Sequence, residues 1–222
     1  MDDITKLTEQ FNVHFGIKAF SEFLNEIKNE SDRAAVILGA AKIDDVLAQL
    51  IKKFLLPNVS SKDELMEDDG PISSFSARIN IAYRLGLIDN ELTRNLHLIR
   101  KTRNEFAHAA MGCKLDASPH RERVNEVICQ YKNYKSFMQY RKYAFPDQFS
   151  TSVDFKTILA LIIINLEGRM YVIEQVKPLS IEPMRDILSK LDFDNPSAII
   201  EGILKKPDGS TTVSLQSSDP PP

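Results

Sequence analysis

Apolar residues recur along most of this chain at intervals of three and four, the spacing of amphipathic helices rather than of strands. Residues 4–29 carry Leu7, Phe11, Phe20, Phe23, Leu24 and Ile27, which predicts two helical pieces broken near Gly16. Ser31 or Asp32 then caps a long helix to about Leu55, stopped by Pro57. Its predicted apolar stripe is Ile37, Ala40, Ala41, Asp44, Ala48, Ile51 and Leu55, with a carboxylate in the middle. After an acidic loop, Asp63 to Pro71, a third helix from about Ser74 to Leu85 places Phe75, Ile79, Ala82 and Tyr83 on one face. Asp89 or Asn90 caps the fourth. Ser118 and Pro119 read as the cap and first turn of a fifth helix to about Tyr143. A sixth, Val153 to Val176, is apolar all round in its first half, the mark of a central element.

Beyond Pro178 the pattern weakens. Two short helices are predicted near 183–191 and 196–205, and the Ser-, Thr-, Asp- and Pro-rich stretch from 207 to 222 predicts a disordered tail. The expected fold is all-α: a bundle of about six helices over residues 1–176, an appendage at 177–206, and the tail.

Composition narrows the partners. Of 222 residues 43% are hydrophobic and 27% charged, with a net charge of −3, so nucleic acid must be held by a local basic patch. Two cysteines, Cys113 and Cys129, form neither a disulfide framework nor a metal quartet, which fits a reducing cytoplasm. The first residues, Met1-Asp2-Asp3-Ile4, lack the features of a signal peptide. The longest apolar run, Ile158 to Ile164, falls short of the roughly 18–20 residues that span a membrane, so no membrane partner is expected. No phosphate loop, zinc-protease sequence or serine-hydrolase elbow is present, and no cofactor or metal is expected.

Chemistry concentrates on the fourth helix. Leu92, Leu96, Ile99, Arg103 and Phe106 fall in one stripe, which predicts a core-facing Arg103. His97, Arg100, Lys101, Asn104 and His108 share an adjacent basic face suited to phosphate. Arg103 and His108 lie about 140° apart on an ideal helix, so both reach one substrate only if the helix bends or a second copy completes the site. Asp44 on the long helix needs a partner, and Arg103 is the candidate. That pair either fixes register between helices or lets Asp44 orient Arg103 beside a phosphate. His108, for its part, is either acid–base machinery or a solvated cation at a helix end. His14 and His120 read as surface residues.

Asp68-Asp69-Gly70-Pro71-Ile72-Ser73-Ser74-Phe75-Ser76-Ala77-Arg78-Ile79-Asn80-Ile81-Ala82-Tyr83-Arg84-Leu85-Gly86-Leu87-Ile88, followed by Ile99 to His108, resembles the mannitol operon repressor family, over roughly residues 31–176. That family consists of all-helical transcriptional regulators, which implies a partner-binding protein. Arg103-Asn104-x3-His108 also resembles the Arg-x4-6-His signature of the HEPN superfamily, dimeric helical domains that include metal-independent ribonucleases of toxin–antitoxin and antiphage systems. This second resemblance implies a homodimer acting on RNA, with an antitoxin or regulatory protein as a further partner. In it Arg103, Asn104 and His108 work at the phosphate, Asp44 supports them, and Arg100, Lys101 and His97 are candidate phosphate contacts. The segment after Pro178 matches neither family.

Overall fold

The computed structural model describes residues 20–67, 69–109 and 112–180, with Lys18 and Arg185. Among these residues all regular structure is helical. Residues 20–27 form α1, followed by α2 (Asp32–Phe54), α3 (Phe75–Arg84), α4 (Asn90–His108), α5 (His120–Tyr131), α6 (Lys135–Ala144) and α7 (Thr151–Val172). The chain divides after Val176 into two units. The first is the helical bundle. The short helices and tail expected beyond 180 lie outside the described residues, as do His14 and the break expected near Gly16.

Side-chain oxygens fix four helix starts. Ser31, Ser74, Asp89 and Ser150 accept from Ala34, Ala77, Leu92 and Val153, satisfying N–H groups that have no acceptor in the first turn. The predicted fifth helix is instead two. α5 begins at His120 behind Pro119, without a side-chain cap, while Ser118 donates to Glu122 at 2.9 Å. A turn at Lys132–Asn133 then separates it from α6, with no glycine or proline at the break to announce it. The last helix ends at Val172, and Val176 and Gln175 bond back to the carbonyls of Phe54 and Leu55 at 2.8 and 3.0 Å.

α7 is central and packs against α2, α5 and α6; α2 also packs on α3 and α4. Ten of its residues are buried around its circumference, which explains why its sequence shows no polar face. The inward face of α2 is Ala35, Val36, Gly39, Ala40, Ile43, Val46, Leu47, Leu50 and Ile51. This is rotated from the predicted stripe, so Ala41 is exposed and Asp44 sits at the edge of the face. Gly39 allows the close approach: a Cβ there would lie 2.5 Å from Leu159 Cδ1 of α7. Tyr83, predicted inward on α3, is exposed, and Ile79 and Ala82 are the buried positions. No helix among the described residues is long and apolar enough to cross a membrane.

Candidate anion-binding groove on helix four

The Arg103 to His108 segment distributes its side chains to different neighbours. Phe106 enters the core with no exposed surface, and Glu105 turns toward α5, where Arg123 donates to it at 2.7 Å. The Arg123 hydrogen bond holds the Glu105 carboxyl below its usual range. His120, expected at the surface, is buried instead. Its ring meets Phe106 edge-on at 4.8 Å, and its Nδ1 lies 3.2 Å from Glu105 without the alignment of a hydrogen bond. Ala107 and His108 are exposed.

Arg103 is also exposed, which corrects the predicted core-facing guanidinium. Thr102 takes the inward place instead, its hydroxyl donating to the Leu98 carbonyl at 2.9 Å. Helix length explains the difference. α3 has 10 residues and α4 has 19, or roughly 15 Å against 28 Å at 1.5 Å per residue. The short turn between them runs α3 back along α4, so α3 begins beside Arg100–Asn104. At that level only the first residues of α3 stand beside α4, so Arg103 borders an open groove rather than a packed face.

The same mismatch forms a groove of about 240 Å³. Ala40, Ala41 and Asp44 of α2 line one side; Ser74, Phe75 and Ser76 at the start of α3 a second; Arg100, Arg103 and Asn104 of α4 the third. Four of the seven predicted site residues therefore meet: Asp44, Arg100, Arg103 and Asn104. Lys101, His97 and His108 do not line it. His97 bonds Asn80 at 3.1 Å, and burial, then the nearby Arg100 charge, hold its imidazole below the usual range. α4 remains α-helical to His108, one turn beyond Asn104 on nearly the same face.

The groove favours an anion. Arg103 Nη1 donates to Asn104 Oδ1 at 3.1 Å, fixing the two side chains together. Arg100 Nε is buried without a hydrogen-bond partner among the described residues. The first-turn N–H groups of α3 add the positive end of a helix dipole. Asp44 is negative, but its partner is Arg78 rather than the predicted Arg103. Nη1 of Arg78 lies 2.9 Å from Asp44 Oδ1, while Nε and Nη2 donate to the carbonyls of Ile72 and Met66 at 3.1 and 3.4 Å. Arg78 thus ties the acidic loop to α2 and neutralises the one carboxylate of the groove. Asp44→Ala is expected to lower stability by about 1–3 kcal/mol in urea denaturation, by stranding this half-buried guanidinium. An Asp44–Arg103 pairing would instead make Arg103→Ala equally costly.

A second concavity lies at the opposite end of α4, beside Tyr131. Burial, with the charges of Glu91 and Asp89, pushes the Tyr131 phenol up to about 12. The Asn95 amide pulls the other way, although neither of its polar atoms makes an aligned hydrogen bond. Above the ordinary tyrosine range, near pH 10, the unfolded chain ionises this phenol and the native state does not. Stability present below pH 10 is therefore lost between about 10 and 12, by roughly 2–3 kcal/mol for two pH units. Absorbance titration should show one of the six tyrosines ionising late, or only with unfolding, and Tyr131→Phe should remove that component.

No protein-family model, curated protein or solved structure matches this chain.

Proposed function

We propose that this chain is a HEPN-type protein that binds RNA through the α4 groove and cleaves it without a metal, as a homodimer. The supporting observation is the convergence of Arg100, Arg103 and Asn104 on the positive end of α3. A phosphodiester seated there meets two guanidiniums, an amide and backbone donors, a set matched to tetrahedral oxyanions. RNA carries its own nucleophile. Attack of the ribose 2′-oxygen on phosphorus expels the 5′-oxygen and leaves a 2′,3′-cyclic phosphate. The protein supplies charge stabilisation, the role of Arg103, and proton transfer, the role of His108.

His108 stands one turn outside the groove, so the active arrangement requires the phosphate chain to extend past Asn104 toward a second copy of α4. Two such helix ends across a two-fold axis would enclose the scissile bond between them. Purified protein incubated with total RNA in excess chelator should produce cyclic-phosphate ends, and a His108→Ala protein should not. Oligomeric state in solution is measured alongside.

The exposure of His108 favours a second reading, a non-catalytic regulator like those of the mannitol operon repressor family. Intact RNA, retained binding and a stable protein complex would select it.

A further inference from the structure

The cavity beside Tyr131 carries a separate assignment. It has a volume of about 450 Å³ and lies between the start of α4, the junction of α5 with α6, and the second half of α7. Small-molecule sites commonly occupy about 300–1,000 Å³. We propose that it binds a small organic monocation, an alkyl- or arylammonium with an apolar body.

The floor is hydrocarbon: Leu92, Leu161 and Ile164. Tyr131 and Tyr134 form an aromatic corner, their ring centroids 6.2 Å apart and their planes inclined at 63°. Such a corner offers π surface to an ammonium, whose charge is drawn to the ring quadrupole. The ionic side chains at the rim determine the sign of the ligand. Arg169 is committed, donating to Asn165 at 2.8 Å and to the Leu87 carbonyl at 2.9 Å, and lying 3.4 Å from the Asp89 carboxylate. Glu91, by contrast, has no ion-pair partner among the described residues. The rim is left with one uncompensated negative charge. Burial first, and then these same Glu91 and Asp89 charges, raise the pKa of the Tyr131 phenol in this wall. An anion is repelled, and a neutral ligand gains neither the Glu91 charge nor the cation–π attraction.

The chain has no tryptophan, so its emission comes from six tyrosines, of which Tyr131 and Tyr134 line the cavity. Benzyltrimethylammonium and choline serve as probes, with 3,3-dimethyl-1-butanol as the uncharged isostere of choline and benzoate as the anionic control. Binding is measured by emission quenching and calorimetry on the full chain. Choline should bind at least about tenfold more tightly than its isostere, and benzyltrimethylammonium more tightly still. Glu91→Gln and Tyr134→Leu, both exposed positions that spare the core, should each weaken binding roughly tenfold. Arg103→Ala in the other groove should leave it unchanged. Equal affinity for choline and its isostere, indifference to Glu91→Gln, or no saturable binding of benzyltrimethylammonium would each overturn the assignment.

Discussion

An Arg103→Ala protein is expected to lose RNA cleavage by roughly 10²–10³-fold while keeping its stability to within about 0.5 kcal/mol. The two halves of this expectation come from different observations. Arg103 is exposed and, among the described residues, bonds only its helical neighbour Asn104, so the fold described asks little of it. In the groove, however, it is one of two lining guanidiniums, and in the proposed mechanism its permanent charge would act where negative charge grows in the transition state. Lysine retains the charge but not the planar fork, so Arg103→Lys should recover only part of the rate. Single-turnover cleavage in chelator together with urea denaturation separates the effects. A variant that cleaves at the wild-type rate removes Arg103 from the mechanism; one that unfolds returns it to the scaffold.

The second large effect is structural. Leu159→Ala should cost about 2–5 kcal/mol, because the fully buried leucine fills the space between α7 and α2. Gly39 makes the contact testable as a pair. Alone, Gly39→Ala drives a Cβ to 2.5 Å from Leu159 Cδ1, and the strain of about 1–3 kcal/mol outweighs the roughly 1 kcal/mol that alanine contributes in a helix. In the Leu159→Ala background the obstruction is gone, and the same change should become stabilising. A double-mutant cycle in urea should therefore show a coupling of at least about 1 kcal/mol. Strict additivity would mean that the two helices are not in contact through these residues.

Much of the bundle was legible because its signals are local. Serine or aspartate caps, apolar spacing and the all-round apolar character of Ile158 to Ile164 placed α2, α3, α4 and α7 close to their observed bounds. The division of α5 from α6 was not legible. Lys132 and Asn133 are compatible with a helix, and no glycine or proline marks the break. His120 was missed for a different reason: a histidine behind a proline at a helix start resembles a solvated side chain. Its burial depends on Phe106 and Glu105, well before it in sequence.

The candidate site divides in the same way. That Arg100, Arg103 and Asn104 lie near one another follows from their positions on one helix. Whether that stretch faces the core or solvent depends on where α3 begins beside it, which helical periodicity cannot express. The partner of Asp44 was likewise outside the reach of pattern. Two arginines on neighbouring helices were both chemically suitable, and only the crossing of α2 with α3 selected Arg78. The sequence by itself determined that the chain makes helices, where most begin, and which residues carry charge. Tertiary structure decided which charges meet, because that depends on relative helix length and crossing, set by packing between residues distant along the chain.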